Sequence, residues 1–217
     1  MQPPFDIAAD LDTPVSAYIK LKPFKPRFLL ESVEGGERLA RYSFIGFGEC
    51  LEVKLDVNGI NVGGKLNAAP RSQKELLDAL RAALHAAPLP QPNIPGVPLL
   101  GGLVGVAGYD LVRYFERLPN KAKVVDPTPD AHYLAPRSLL VFDHLTRGVA
   151  LLHAGSEVER ASLRKEVIAA LRGGLPMTSK SAKYSQPEGS LSQEEFCAKV
   201  KRAQEYIAAG DVYQLVL

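Results

Sequence analysis

Between residues 50 and 57 the chain alternates strictly, with Leu51, Val53, Leu55 and Val57 set against Glu52, Lys54 and Asp56. That period of two is the pattern of a strand with one buried and one wet face. Asn58-Gly59 follows and turns this strand into a hairpin with residues 60–62. Residues 27–33 and 41–46 are two further apolar segments around Glu34-Gly35-Gly36-Glu37, and the turn between them predicts that they pair. Two unbroken apolar runs, residues 138–142 and 149–153, flank Asp143-His144-Leu145-Thr146-Arg147-Gly148 and predict another hairpin. The helical period appears elsewhere. Thr13-Pro14 starts a short helix over residues 15–21, with the threonine as N-cap and the proline at the first helical position. Ser72-Gln73-Lys74-Glu75 has the capping-box form, and Leu76, Leu77, Leu80 and Leu84 follow at helical spacing to about Ala87. Residues 157–172 form a helix ended by Gly173-Gly174. Ser192 caps another, with Phe196, Val200, Ala203, Tyr206 and Ile207 inward and Gly210 as its stop. The proline-rich residues 88–98 exclude a helix, and residues 109–117 have helix-like content before Pro119.

The strands come in hairpins and not as alternating strand–helix–strand units, so the fold class is α+β, antiparallel sheets with flanking helices. A β-rich domain is expected over residues 1–174, a Ser-, Lys- and Pro-rich linker over 175–190, and the start of a second domain over 191–217. Residues 211–217 have strand character and finish on the apolar Leu217, which is expected of a truncated chain.

With 217 residues, 46% of them hydrophobic and 23% charged, the chain has material for a sizeable core. Lys and Arg number 26 against 24 Asp and Glu, a net charge of +2, which excludes the basic footprint of a nucleic-acid binder. Cys50 and Cys197 are far apart and lack ligand spacing, so neither a zinc site nor a disulfide framework is expected. No apolar run approaches the ~20 residues of a membrane span, and the first twenty residues lack a signal-peptide pattern. A cytoplasmic protein is expected.

The cluster Gly101-Gly102-Leu103-Val104-Gly105-Val106-Ala107-Gly108 invites a phosphate-binding reading, but its spacing is neither GxGxxG nor GxxxxGK[ST]. Close backbone packing is the simpler role. His85, His132, His144 and His153 are scattered without ligand offsets, and His144 beside Asp143 reads as an ordinary turn residue. No catalytic constellation and no metal site stand out. The informative group is Glu31-Ser32 followed by Arg41 and Ser43 on the facing segment. A carboxylate, hydroxyls and a guanidinium brought together suit the ammonium and carboxylate of an amino acid. A plain cross-strand pair of Glu31 with Arg41 is the competing reading.

FLLESVEGGERLARYSFIGF, GGLVGVAGYDLVRYFERLP, SLLVFDHL and AGDVYQLVL, in order from Phe28 to Leu217, resemble component I of anthranilate synthase. The resemblance implies the N-terminal part of a large α/β sandwich of antiparallel sheets, with a regulatory domain packed on a chorismate-binding one. It implies a lyase of tryptophan biosynthesis that is magnesium-dependent and turns chorismate and ammonia into anthranilate and pyruvate. A glutamine amidotransferase partner subunit, component II, supplies the ammonia. In this family the LLES segment lines an allosteric L-tryptophan site, which maps feedback inhibition onto Glu31 and Ser32, with Ser43 and Arg41 beside them. Related enzymes that add water carry a lysine at the position matching Gln214. Glutamine there agrees with ammonia as nucleophile and with Gln214 lining the chorismate pocket, and a polar residue on the wet face of a strand is the competing reading. The magnesium ligands and catalytic residues are expected beyond Leu217, so this chain alone is expected to be inactive. Two alternatives remain: aminodeoxychorismate synthase component I of folate biosynthesis, and a non-catalytic amino-acid-binding module.

Overall fold

The computed structural model describes residues 4–8, 12–31, 41–119, 128–176 and 183–217. Two long strands, β3 (Tyr42–Asp56) and β7 (Ala131–Asp143), pair antiparallel along their length and organise the first of two compact units, Met1–Pro176. The sequence divides β3 into two strands, residues 41–46 and 50–57. The structure runs them together through Gly48, whose φ of +84° lets the backbone bulge where the β3–β7 register shifts between Phe47 and Cys50. β7 starts seven residues before the apolar run that predicts it. Pro136 hides that first half, since proline argues against a central strand, but it sits opposite Cys50 at the shift, where the ladder is already interrupted.

Each long strand changes partner at this break. β2 (Pro26–Leu30) pairs with the first half of β3, while β4 (Gly59–Val62), followed by β5 (Lys65–Asn67), pairs with its second half. β6 (Val104–Ala107) pairs with the first half of β7, and β8 (Gly148–His153), followed by β1 (Ile7–Ala8), with its second half. All pairings are antiparallel, as expected from the hairpins, and the result is two half-sheets, β1-β8-β7-β3-β2 and β6-β7-β3-β4-β5, on a shared central ladder. The expected turn at Glu34–Glu37 lies outside the described residues.

The first half-sheet is covered on both faces. On one, Ile45, Phe47, Leu140 and Leu151 pack against Ala17 and Leu21, at the end of α1 (Pro14–Lys20), and against Val167 and Leu171 of α3 (Glu157–Arg172). On the other, Phe44, Leu139, Val141, Ala150 and Leu152 lie under Ile94 and Val97 of the proline-rich connector. The second half-sheet buries one face only, Val53, Leu55, Ile60 and Ala131 under Leu76 and Ala83 of α2 (Gln73–Ala86) and Leu111. Each large side chain so buried contributes about 1.5–3 kcal/mol.

α1, α2 and α3 stand where the periodicity predicts them and are capped by Thr13, Ser72 and Ser156. The α2 cap is half a capping box: Ser72 Oγ accepts from Glu75 N, but the Glu75 carboxylate accepts from Arg71 N. Residues 109–114 form a 3₁₀ turn, not an α-helix.

The second unit, Met177–Leu217, contains α4 (Gln193–Ala209), closed by the left-handed Gly210. Phe196, Tyr206 and Ile207, expected to face inward, are exposed. Residues 212–217 are not a strand, a correction to the expectation: strands are stabilised by a ladder, and this segment has no ladder partner among the described residues.

Candidate functional site

β2 ends at Leu30, so Glu31 follows directly, and β3 begins at Tyr42, so Arg41 immediately precedes it. The register that pairs Tyr42 with Asp143 and Ser43 with Phe142 brings the start of β3 to the end of β7. Arg41 meets Asp143 there in a two-pronged ion pair, Nε to Oδ1 at 2.9 Å and Nη2 to Oδ2 at 2.7 Å. The Asp143 side chain is 1% exposed. Burial by itself pushes its carboxyl up, but hydrogen bonds from Arg41, Thr146 and the Leu145 amide outweigh that and hold it below the usual carboxylate range. The same bond to Asp143 holds the Arg41 guanidinium above its ordinary value. Arg41 also lies over the Tyr42 ring at 4.8 Å, a cation–π contact. One residue on, the His144 amide donates to the Arg41 carbonyl at 2.9 Å, and His144 Nε2 hydrogen-bonds Ser43 Oγ at 2.8 Å.

These contacts form the back of a cleft of about 570 Å³, lined by Asp12, Thr13, Glu31, Asp143, His144 and Arg147 among others. The volume is in the ~300–1,000 Å³ range of small-molecule sites. Of the residues singled out from the sequence, Glu31 lines this cleft, while Arg41 stands behind Asp143 and Ser43, 1% exposed, stands behind His144. Ser32 lies outside the described residues. Gln214 belongs to the second unit, where it is exposed. The Glu31–Arg41 pair does not form, because Arg41 takes Asp143 instead. Sequence reasoning missed Asp143, His144 and Arg147 by treating the turn as ordinary. A signal was present: the unbroken run Leu139-Leu140-Val141-Phe142 belongs to a strand buried on both faces, and a carboxylate ending such a strand needs a cation.

The other chemical candidates resolve as packing. At Gly105 a Cβ would collide with the His132 carbonyl and meet Tyr133 Cα at 2.7 Å, so the glycine permits β6 to lie tight against β7. His132 bonds Glu52 at 2.6 Å, and His153 bonds Ser138 at 2.9 Å. Burial, with Arg137 nearby, pushes the His153 pKa down. Both cysteines are free. Among the described residues no group of three or more His, Cys, Asp or Glu is placed to hold a metal ion, so the described residues do not fit a magnesium site. No helix among them is long and apolar enough to cross a membrane.

A chain with this antiparallel sheet and this cleft can be placed by its relatives. It belongs to the chorismate binding enzyme family, whose model matches residues 25–217. It is similar to anthranilate synthase component 1 of Thermus thermophilus, 38% identical over 216 residues that cover 96% of this chain and 45% of that protein. The protein of the same description from Acetivibrio thermocellus is 31% identical over 233 residues, covering 98% and 46%. Among solved structures it is similar to anthranilate synthase component I from Streptococcus pneumoniae TIGR4, with a TM-score of 0.60, 22% identity, and 94% of this chain and 45% of that one covered. That likeness bears out the α+β antiparallel fold. The chain spans a little under half the length of the curated relatives it matches, 45% and 46% for these two.

Proposed function

We propose that this chain is the N-terminal part of component I of an anthranilate synthase, a lyase that converts chorismate and ammonia to anthranilate and pyruvate in tryptophan biosynthesis. The observation that carries the reading is its 38% identity, over almost its whole length, to a protein described as that component. Residues 1–174 are the regulatory domain, 175–190 a linker, and 191–217 the beginning of the chorismate-binding domain, with Gln214 lining the chorismate pocket. The ammonia comes from glutamine through a component II partner. A magnesium ion acts in the parent enzyme through ligands outside the described residues, and this chain alone lacks the activity. The protein works in the cytoplasm. L-Tryptophan binds at the cluster of Glu31, Ser32, Arg41 and Ser43 and inhibits the enzyme. Support for that site is the cleft that Glu31 lines and the polar network of Arg41 and Ser43 behind it, since a carboxylate in a cleft is a partner for an amino acid's ammonium.

The test is an assay of the full open-reading-frame product with chorismate, ammonium and magnesium. Anthranilate fluorescence, suppressed by tryptophan in the wild type and less so in Glu31→Gln, is the expected result. Aminodeoxychorismate as the product would move the protein to folate biosynthesis, and the absence of both products would overturn the enzyme reading.

A further inference from the structure

A second cleft, of about 230 Å³, opens where the β3–β7 ladder breaks, beside Phe24 just ahead of β2 and so away from Glu31 at that strand's other end. At the break Gly48 and Glu49 oppose the single residue Arg137, the two-against-one count of a bulge, and all three line the cleft. A bulge re-aims the side chains it carries. Here it brings a carboxylate and a guanidinium, which strict alternation would have set elsewhere, to one opening. The remaining walls include Phe24, Leu163 of α3 and the His153 ring.

The Arg137 guanidinium is held by the fold. Its Nε and Nη2 donate to the Ala154 carbonyl at 3.1 and 2.7 Å. Nη1 reaches Glu49 at 3.2 Å, but the Glu49 side chain is 82% exposed, and a pair of that kind contributes little. Charge around the bulge is unbalanced in the same sense. Arg27 stands across it with Nε on the Gly48 carbonyl at 3.2 Å and forms no ion pair among the described residues. Glu159, the carboxylate on the α3 side, is taken up by the Ser156 amide and hydroxyl at 2.6 and 2.8 Å. The walls are fixed as well. His153 Nδ1 is bonded to Ser138 Oγ at 2.9 Å, Gly155 packs so close that a Cβ there would stand 2.8 Å from the ring, and Phe24 meets Phe47 edge-on with centroids 6.2 Å apart.

From this we infer that the cleft at the β3 bulge binds a small carboxylate with a flat apolar body, of about benzoate size. The ligand's carboxylate replaces that of Glu49 on Arg137, and its body rests against Phe24, Leu163 and the His153 ring. Glu49 is a place-holder: an exposed carboxylate that occupies the guanidinium weakly and yields it to a ligand that also gains the apolar walls. A guanidinium already anchored on a backbone carbonyl meets the incoming carboxylate without first having to be ordered. The volume is below the ~300–1,000 Å³ of drug-sized sites, which limits the ligand to about one ring. The inference goes beyond the chorismate reading and does not depend on it.

The test is calorimetry on the full open-reading-frame product with benzoate and with benzamide, its uncharged counterpart. Benzoate is expected to bind about tenfold more tightly than benzamide, the size of a charge-assisted bond. Arg137→Gln should remove that preference by weakening benzoate and leaving benzamide unchanged, with the thermal unfolding midpoint as the check on the fold, because Arg137 also holds Ala154. Glu49→Gln changes an exposed side chain and keeps the fold. It removes the competing carboxylate, so it should tighten benzoate by about two- to fivefold, the size of an exposed ion pair, a gain that a purely structural Glu49–Arg137 pair would not produce. A wild type that binds no benzoate overturns the inference. Benzoate affinity unmoved by Glu49→Gln also overturns it, since the ligand is then not competing for Arg137, and so does equal weakening of both ligands by Arg137→Gln, since the carboxylate is then not what the guanidinium reads.

Discussion

The two half-sheets share their central strands and yet are built differently. Where β3 and β7 meet β8 and β2, both faces are covered, and the sequence is a continuous apolar run from Leu139 to Phe142. Past the bulge at Gly48 the same strands alternate, with Val53 and Leu55 inward and Glu52 and Lys54 outward, and only one face is covered. The contrast follows from what each half must hide. It also separates their uses. In the doubly covered half, a polar side chain survives only if it is paired, which is why Asp143, Ser43 and Ser138 all have partners. No buried side-chain nitrogen or oxygen among the described residues lacks one. The ordered polar network behind the cleft is therefore a product of that burial, whereas the alternating half scatters its charges into solvent.

The sharpest way to break this comparison is to truncate one leucine in each half. Leu140, 0% exposed between two packed layers, should lose about 2–5 kcal/mol on Leu140→Ala, from removed burial and the cavity left behind. Leu66, 57% exposed on β5, should change stability by no more than about 0.5 kcal/mol on Leu66→Ala. Urea unfolding of both variants reads the difference. Similar losses would mean that the second half-sheet is also covered on its outer side.

A smaller effect is expected at the close approach of β6 to β7. Gly105→Ala places a methyl into the His132 carbonyl and Tyr133 Cα, backbone atoms that give way only if the strands separate. We expect a cost of about 1–3 kcal/mol, accompanied by faster amide exchange along β6 and little change along β8. Uniform loosening of both strands would show that the two halves do not move independently.

The hairpins, the α+β class and the positions of α1, α2 and α3 were legible because each rests on local signals, a turn pair, a cap or a period. What was not legible depended on the third dimension. The unity of β3 was hidden by a bulge at Gly48, and the first half of β7 by Pro136, each admissible only because the other lies opposite the same register shift. In the candidate site, Glu31, Arg41 and Ser43 were picked out as a group, but their partners were not. The register that sets Tyr42 against Asp143 is a long-range fact, and it sends Arg41 to Asp143 in place of Glu31. Asp143 and His144 read as turn residues because the neighbouring sequence, although its apolar run implies a cation for Asp143, does not say which residue lies across the strand to supply it.

The pH dependence of stability tests whether the polar network belongs to the folded state alone. The folded-state pKa of Asp143 is below its ordinary value, so the unfolded chain binds the proton more readily. Its contribution is present above about pH 3.9 and is lost as the pH falls from there through the folded pKa. Asp143→Asn should therefore lower stability at neutral pH and flatten the acid limb below about pH 4. His153 is also held low, by burial and then by Arg137, so a separate loss begins as the pH drops below about 6.5. His153→Gln should remove that step and leave the lower one. Unfolding midpoints in urea from pH 3 to pH 8 resolve the two. A midpoint for Asp143→Asn that tracks the wild type down to pH 3 would mean that the ion pair is not specific to the folded state.

The smallest expected change in stability is at the turn that joins the covered strands. Arg147 sits at φ +56°, where an L side chain meets its own backbone, and glycine relieves that crowding at the expense of a freer unfolded chain. The two effects nearly cancel, so Arg147→Gly should shift the unfolding free energy by less than about 1 kcal/mol. Glycine at Leu145, elsewhere in the same turn and with an ordinary φ, has only the entropic loss and should be the worse of the two. A larger loss from Arg147→Gly than from Leu145→Gly, read from thermal unfolding, would mean that the arginine side chain holds the turn itself. In that case the residue belongs to the packing of the first half-sheet, and its placement at the rim of the cleft follows from the fold and not from a ligand.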